Sequence, residues 1–284
     1  MGVFSPLILE LNKQDLGFTI PQSYKEYKLK NSINNNAMTA SVISVDFLDR
    51  LDSELKQNET MVFRLGSPKG GNGTHFALAK CKNVINDYFL DESILKKNST
   101  NEIIYLDKTQ SLNAFKLLPK LTETSLVNLA FASGILAKAL NLDEDTKNVI
   151  PATCQSTFSF KVRPHEDYDI AWEHNNGQVE IDALFYGTRK GVHELYLVES
   201  KFGSSHSTLA KHKLVYPFLA INKHINSKIR IVPVYLKTSI QGNSIHVMVT
   251  ECIFKGNSHA VSSLKPLITK SFLIEDFLSN PQLN

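Results

Sequence analysis

Residues 178–203 of this chain read QVEIDALFYGTRKGVHELYLVESKFG, and this stretch decides how the rest is interpreted. Two runs rich in β-branched and aromatic residues flank a short loop bounded by glycines, a pattern typical of a β-hairpin. Among the ionisable residues in these runs, three form the most informative pattern: Asp182 midway along the first run, and Glu199 and Lys201 at the end of the second. Charges in such runs indicate a function, and the two carboxylates can converge on one metal ion.

The expected pairing supports this interpretation. Side chains alternate along a strand, so Glu199 and Lys201 point to the same side. With the loop centred near residues 189–190, antiparallel pairing places Asp182 opposite a residue close to Leu197, one step from Glu199. Cross-strand neighbours lie roughly 4.5–5.5 Å apart and diagonal neighbours about 7–8 Å apart. Such a separation suits two carboxylates that share Mg²⁺, which prefers one or two carboxylates together with waters and phosphate oxygens.

An Asp on one strand followed by Glu-x-Lys on the next resembles the PD-(D/E)xK nuclease superfamily, which includes most type II restriction endonucleases. The resemblance is close over residues 179–202 and looser up to about residue 254. It implies that Asp182, Glu199 and Lys201 are catalytic and that Asp182 and Glu199 hold Mg²⁺. The backbone carbonyl of Ser200 is a further candidate ligand. Ile181 stands where members of the superfamily often have proline.

The resemblance also implies an activity. It predicts Mg²⁺-dependent hydrolysis of phosphodiester bonds in double-stranded DNA, with 5′-phosphate ends and no organic cofactor. The length of 284 residues and the absence of a helicase or ATPase motif favour a type II restriction endonuclease. Cutting both strands of a palindrome favours a homodimer. The alternatives are a structure-specific or nonspecific nuclease of repair, recombination or phage origin, and a catalytically inactive DNA-binding protein.

Further acidic residues are candidates for the same site. Glu123 and Glu144 flank a predicted helix before the hairpin, and related nucleases often supply one more acidic ligand from that helix. Glu180 shares a strand face with Asp182 because it lies two residues before it. Ordinary helix-terminal or solvated carboxylates are the alternative interpretation of all three, since acidic residues are favoured in a first helical turn.

Four basic residues are candidates for DNA contact. His206, Lys211 and Lys213 follow the hairpin on a predicted helix, where they would face backbone phosphates. A solvated helix face is the alternative. Lys69 lies in a glycine-rich loop that lacks the lysine of a phosphate-binding loop, although such a loop could wrap DNA.

The remaining pattern indicates a mixed α/β (α+β) protein. The superfamily resemblance implies a restriction-endonuclease-like αβββαβ core, with a mixed central sheet flanked by helices. We place a nuclease domain at residues 119–284 and an accessory region, for target recognition, at residues 1–118. The other predicted helices cover residues 42–55, 122–142 (capped by Thr122 and Ser125) and 205–216. Pro217 should end or kink the last of these, or begin a second helical turn that runs to about His224. The other predicted strands cover residues 60–65, 75–80, 103–106, 229–236 and 245–254.

Composition is ordinary for a globular protein, with 21% charged and 42% hydrophobic residues and a net charge of +3. Cys81, Cys154 and Cys252 are far apart, which predicts buried free thiols in a reducing compartment rather than a disulfide framework or a zinc site. No apolar run approaches the ~18 residues of a membrane span, and no signal peptide is recognisable. We therefore expect a cytoplasmic protein without a membrane partner.

Overall fold

A computed structural model describes residues 2–14, 17–34, 36–105, 112–144, 149–203, 208–226 and 228–278. The strands are β1 (Gln22–Ser23), β2 (Thr60–Arg64), β3 (His75–Lys80), β4 (Phe89–Asp91), β5 (Thr100–Ile104), β6 (Ala152–Val162), β7 (Trp172–Arg189), β8 (Val192–Phe202), β9 (Thr208–Ala210), β10 (Arg230–Gln241), β11 (Ser244–Phe254) and β12 (Leu264–Ile274).

The helices are α1 (Ser5–Gln14), α2 (Tyr24–Lys30), α3 (Thr39–Ile43), α4 (Ser53–Gln57), α5 (Val84–Tyr88), α6 (Glu92–Lys97), α7 (Asn113–Lys116), α8 (Glu123–Ala132), α9 (Ile135–Leu140) and α10 (His212–Asn222). None of these described helices combines the length and the apolar character that crossing a membrane requires.

A seven-stranded sheet in the order β5-β12-β11-β10-β8-β7-β6 forms the centre of the fold. β6, β7 and β8 are an antiparallel meander, and β10 then lies parallel to β8. Parallel neighbours need a crossover connection, and α10 lies in the connection between β8 and β10. The mixed sheet and its helices confirm the predicted α/β class.

The central sheet has a hydrophobic core on each face. On β10, Val232 and Val234 belong to a core shared with α8 and α9. Ile231 and Tyr235 belong to a second core, which contains α10 and many residues of the N-terminal region. This division follows from the two-residue period of a strand. Because both faces are covered, residues 194–200 of β8 are buried without interruption.

The predicted hairpin is confirmed, with a tighter turn than expected. Pairing continues to Arg189 and Val192, which leaves only Lys190 and Gly191 as the loop. Both loop residues have positive φ, 54° and 74°, as a two-residue hairpin turn with the twist of its strands requires. The turn is therefore centred one residue later than predicted, which moves every cross-strand partner by two positions.

The predicted helix over residues 122–142 is present but divided into α8 and α9. Gly134 separates the two helices with a φ of 73°. At the start of α8, Thr122 Oγ1 accepts the Ser125 N–H at 3.2 Å and Ser125 Oγ accepts the Thr122 N–H at 3.3 Å. This reciprocal cap confirms the predicted helix start.

The helix predicted over residues 205–216 is wrong in its bounds. Thr208–Ala210 forms β9, which pairs with β4, and α10 starts only at His212. The helix continues through Pro217 to Asn222, close to the alternative end near His224, although this proline removes one backbone donor. The strand partner β4 comes from more than a hundred residues earlier in the chain, so local periodicity could not reveal it.

The other element predictions vary in accuracy. β2, β3, β10 and β11 confirm the predicted strands, and β5 starts earlier than predicted, at Thr100. The helix predicted over residues 42–55 is broken into α3, a 3₁₀ turn and α4. β6 was not predicted, since its first half is polar and exposed. All three cysteines are free, but only Cys252 is buried, so the expected burial of Cys81 and Cys154 is wrong.

The N-terminal region contacts the central sheet directly. Its small sheet has the order β1-β3-β2. The loop after β2 joins β7, because the Ser67 N–H donates to the Asn175 carbonyl at 2.6 Å and the Asn175 N–H donates to the Leu65 carbonyl at 2.9 Å. These bonds bring β2 beside the first half of β7.

Candidate active site

The hairpin brings Asp182 and Glu199 together where β7 and β8 part from each other. Ala183 pairs with Val198, so the next residue outward on each strand is Asp182 and Glu199. The Ser200 N–H donates to Asp182 Oδ2 at 2.7 Å, which holds the aspartate against β8. Leu197, the expected neighbour of Asp182, pairs with Leu184 instead, as the later turn requires.

Glu199 is a buried carboxylate whose oxygens are not all engaged by hydrogen-bond donors. It is 2% exposed. The Lys201 Nζ lies 2.7 Å from its Oε1 and the Lys213 Nζ lies 3.8 Å from the same atom. Within the described residues, that oxygen nevertheless has no hydrogen bond of acceptable geometry. Burial raises the pKa of Glu199 to about 7, against the opposing effect of the two lysines.

Lys201 lies between two carboxylates. Its Nζ is also 3.7 Å from Glu123 Oε1 and donates to the Ser200 carbonyl at 2.8 Å. Burial alone would lower the pKa of Lys201, but the charges of Glu199 and Glu123 outweigh burial and hold it above its ordinary value. The Lys201 ammonium therefore carries its positive charge between Glu199 and Glu123.

One of the additional acidic candidates reaches the site from α8. Glu123 accepts the Phe202 N–H on Oε2 at 3.0 Å, and burial raises its pKa. Glu180 is exposed and lines the same cleft as Asp182. Glu144 is exposed beyond α9 and is not part of the lining of that cleft.

We define the site cluster as Asp46, Glu123, Asp182, Glu199, Lys201 and Lys213. Asp46 enters it because its Oδ1 lies 3.6 Å from the Lys213 Nζ. Four carboxylates thus face two ammonium groups. A cleft of about 250 Å³, lined by α8, β6 and β7, opens at Glu123 and Asp182. The excess of negative charge favours binding of a cation in this cleft.

The donor set fits Mg²⁺ by its chemistry. Two carboxylates and the Ser200 carbonyl are oxygen ligands, and the cleft leaves room for waters and a phosphate. In the described part of the chain, no three His, Cys, Asp or Glu side chains are already gathered as a metal group. Asp182 accepts the Ser200 N–H, and the Lys201 Nζ lies 2.7 Å from Glu199 Oε1.

The four predicted DNA contacts have different surroundings. Lys69 is exposed in the loop between β2 and β3. Lys213 turns toward Glu199 and Asp46 instead of solvent. His206 lies outside the described residues. Lys211 is 2% exposed, and its Nζ donates to the carbonyls of Asn86 at 2.6 Å and Asp87 at 3.1 Å. Lys211 is therefore unavailable to a nucleic acid, contrary to expectation.

A neighbouring polar group was not predicted at all. Tyr235 lies beside Glu199 on β10, and its hydroxyl donates to Glu92. The Lys237 Nζ lies 3.3 Å from Glu92 Oε2, and these two residues also line a separate cleft of about 280 Å³. Glu92 comes from α6, so only the folded arrangement brings it to β10. No pattern in the sequence pointed to this pair.

Fold and site together define a mixed α/β protein with a buried carboxylate–lysine cluster at the end of a central hairpin. A family model described as "Domain of unknown function (DUF6997)" matches residues 88–273, which is more than half of the chain, and the chain belongs to that family. The matched residues include the whole site cluster except Asp46. No curated protein matches the chain.

Proposed function

We propose that this protein is a Mg²⁺-dependent endonuclease that hydrolyses phosphodiester bonds of double-stranded DNA. The observation that carries the proposal is the excess of carboxylates over lysines in the site cluster, with buried Glu199 at its centre. Such an excess is costly in a folded protein unless a cation completes it. Perturbed ionisable groups in a cleft are characteristic of functional sites.

The order of elements supports the same proposal. The helices α8 and α9 precede the meander β6-β7-β8, and α10 leads to β10, which lies parallel to β8. Apart from the short strand β9, this order is compatible with the αβββαβ core that the PD-(D/E)xK resemblance implies. In that order, Asp182 lies on the second strand, and Glu199 and Lys201 lie on the third.

The roles that we propose for the residues of the site follow from their surroundings. Asp182, fixed by the Ser200 N–H, and Glu199 would hold the metal ion, with the Ser200 carbonyl as a third oxygen. When bound, Mg²⁺ supplies charge neutralisation at the phosphate and a more acidic water. Lys201 orients the attacking water or stabilises the additional negative charge of the transition state, because its ammonium lies beside Glu199. Glu123 anchors that ammonium from the opposite side.

Within this class we propose a type II restriction endonuclease that acts as a homodimer. Cleavage of both strands of a palindrome requires two sites related by two-fold symmetry. The cleft of about 250 Å³ is open, as access by a polymeric substrate requires. A structure-specific nuclease and an inactive DNA-binding protein are the other outcomes of the experiment below.

The test is incubation of supercoiled plasmid with the protein and Mg²⁺, followed by electrophoresis and sequencing of the fragment ends. We expect discrete fragments with 5′-phosphates from the wild type. Asp182→Asn, Glu199→Gln and Lys201→Met should each lower the cleavage rate by about 10³-fold or more, since metal and charge effects are worth several kcal/mol. DNA binding in Ca²⁺ should persist in all three.

Glu173→Gln is the matched control, because Glu173 is an exposed carboxylate on the same strand as Asp182 and its ion pair in the described structure is with exposed Lys161 at 3.7 Å. It should cleave at the wild-type rate. Smeared products would indicate a structure-specific or nonspecific nuclease instead of a sequence-specific one. Absence of cleavage by the wild type in both Mg²⁺ and Mn²⁺, or wild-type rates in the three site variants, would refute the proposal.

A further inference from the structure

A second, smaller pocket lies beside the site cluster. It has a volume of about 60 Å³, and its lining includes Ser44, Arg64, His174, Glu180, His212 and Lys213. Glu180 also lines the cleft that holds Asp182, so the two cavities share a wall. Lys213, which lines only the smaller pocket, links it to the site cluster through its contact with Glu199. The pocket therefore continues the candidate active site toward the N-terminal region.

Positive charge gathers around this pocket from three directions. Arg64 reaches it from the end of β2, and no carboxylate among the described residues forms an ion pair with its guanidinium. Lys213 contributes a second cation, which it shares with Glu199 and Asp46. The first turn of α10, which contains His212 and Lys213, adds the positive end of an eleven-residue helix.

A buried polar atom in the same pocket has no partner. His212 is 8% exposed, and its Nδ1 has no hydrogen bond within the described part of the chain. A buried ring nitrogen without a protein partner costs free energy, so this atom is available to hydrogen-bond a molecule in the pocket. The ring is held firmly, since it packs against Phe63 and Tyr216 with centroids 6.2 Å and 5.2 Å away.

The pocket is built by both parts of the chain. Ser44 and Arg64 come from residues before the family match, whereas the other lining residues named above lie inside it. The hydrogen bonds between Ser67 and Asn175 and between Asn175 and Leu65 fix the end of β2 beside β7. Gly66 allows this approach, because a Cβ there would lie 2.1 Å from the Asn175 carbonyl oxygen. Arg64 is thus positioned by backbone contacts.

We propose that this pocket binds a backbone phosphate of the nucleic-acid strand, next to the phosphate that is cleaved. The inference rests on the proposed function, and it identifies a contact that would position the nucleic-acid strand in the site. An unpaired guanidinium, a helix N-terminus and a buried ring nitrogen together match the oxygens of a phosphate monoanion. Glu180 at the shared wall opposes this charge and lowers the affinity.

The experiment measures binding of a short fluorescent DNA duplex in Ca²⁺, which avoids turnover, at salt concentrations from about 50 to 200 mM. We expect Arg64→Gln to weaken binding about tenfold and to reduce the slope of log K against log salt by about 0.9, the value for one lost phosphate contact. Arg64→Lys should retain the slope, and Glu180→Gln should strengthen binding. Arg163→Gln is the control, since Arg163 pairs with Asp169 and is not part of the lining of either cavity.

Inorganic phosphate separates this inference from the nuclease proposal. Inorganic phosphate should compete with the duplex for binding to the wild type, and it should not compete for binding to Arg64→Gln. If the wild type binds duplex and phosphate through Arg64 but never cleaves, the pocket stands and the nuclease proposal fails. If Arg64→Gln binds with the wild-type affinity and slope, the pocket assignment is wrong even if the protein cleaves DNA. If the enzyme is active, Arg64→Gln should raise KM and leave kcat within about twofold of the wild-type value. This is the result of losing a contact that is equally strong in the bound substrate and in the transition state.

Discussion

The hairpin of β7 and β8 carries ionic clusters at both ends, and the two differ in balance. At the turn, Arg189 donates to Glu194 at 2.9 Å and to Glu251 at 2.6 Å, and Arg230 reaches the same carboxylates at 3.1 Å and 3.5 Å. We call these four residues the turn cluster. Its two guanidinium groups match its two carboxylates, whereas four carboxylates face two ammonium groups in the site cluster.

The difference shows that the buried carboxylates of one hairpin are not equally compensated. Glu194 also accepts the Tyr196 hydroxyl at 2.7 Å, so its oxygens are engaged by donors. Glu199 is at least as buried but has an oxygen without an aligned donor, and its pKa is raised to about 7. A matched cluster stabilises one arrangement of the strands, whereas under the proposed function a cation completes the unmatched cluster.

The largest effect is expected from breaking the turn cluster. Arg189→Met leaves Arg230, whose side chain is 47% exposed, as the cation that pairs with Glu194 and Glu251 among the described residues. Loss of a buried partner typically costs about 3–5 kcal/mol, so the free energy of unfolding in urea should fall by that amount. Arg230→Met, the half-exposed counterpart, should cost clearly less. Equal losses in the two variants would contradict the assigned roles, and Mg²⁺ binding should survive in both.

A smaller effect is expected from adding the proposed Mg²⁺ to the site cluster. A ligand at a hundredfold excess over its Kd stabilises the folded state by about 2.7 kcal/mol. Mg²⁺ should therefore raise the Tm of the wild type and of Arg230→Met in calorimetry. Asp182→Asn should show no such rise, although its amide oxygen can still accept the Ser200 N–H. A rise of equal size in Asp182→Asn would place the metal elsewhere.

The smallest effect concerns the pH dependence of stability without metal. The folded protein binds the Glu199 proton more tightly than the unfolded chain, because its pKa is about 7 against an ordinary 4.5. Stability should therefore fall as pH rises from about 4.5 through about 7. Glu199→Gln removes this loss and should exceed the wild type by roughly 1–3 kcal/mol at pH 8, with little difference near pH 4. Urea unfolding at both pH values measures this difference in stability. If the wild type is more stable than Glu199→Gln at pH 8, the proposed cost of burying the Glu199 charge is wrong.

Much of the hairpin was predictable because its signals are local. Alternating apolar residues set the strands, and Thr122 with Ser125 set the start of α8. The structure brings Asp182, Glu199 and Lys201 to one end of the hairpin, as their spacing predicts. Their catalytic roles stay predictions. The register was off by two because Lys190, a residue with a side chain, adopts positive φ in the turn.

Other parts of the site could not be predicted from local patterns. Lys211 and Lys213 are two residues apart, yet one is sequestered by the carbonyls of α5 and the other reaches Glu199. Their environments depend on α5 and β8, which pack against the start of α10 from different parts of the chain. Arg64 entered no prediction, because its place beside His212 results from contacts between the β2 loop and β7.

The sequence by itself determined the hairpin and placed three ionisable residues on it, since backbone preferences and the two-residue strand period act over neighbouring residues. Tertiary structure decided which charges are matched and which are not. The pKa of Glu199 reflects Lys201, Lys213 and Asp182 as well as its own burial, and Asp46 and Glu123 reach those lysines from distant segments. Electrostatic balance in a buried site is a sum over all nearby groups, and only the folded chain fixes which groups are near.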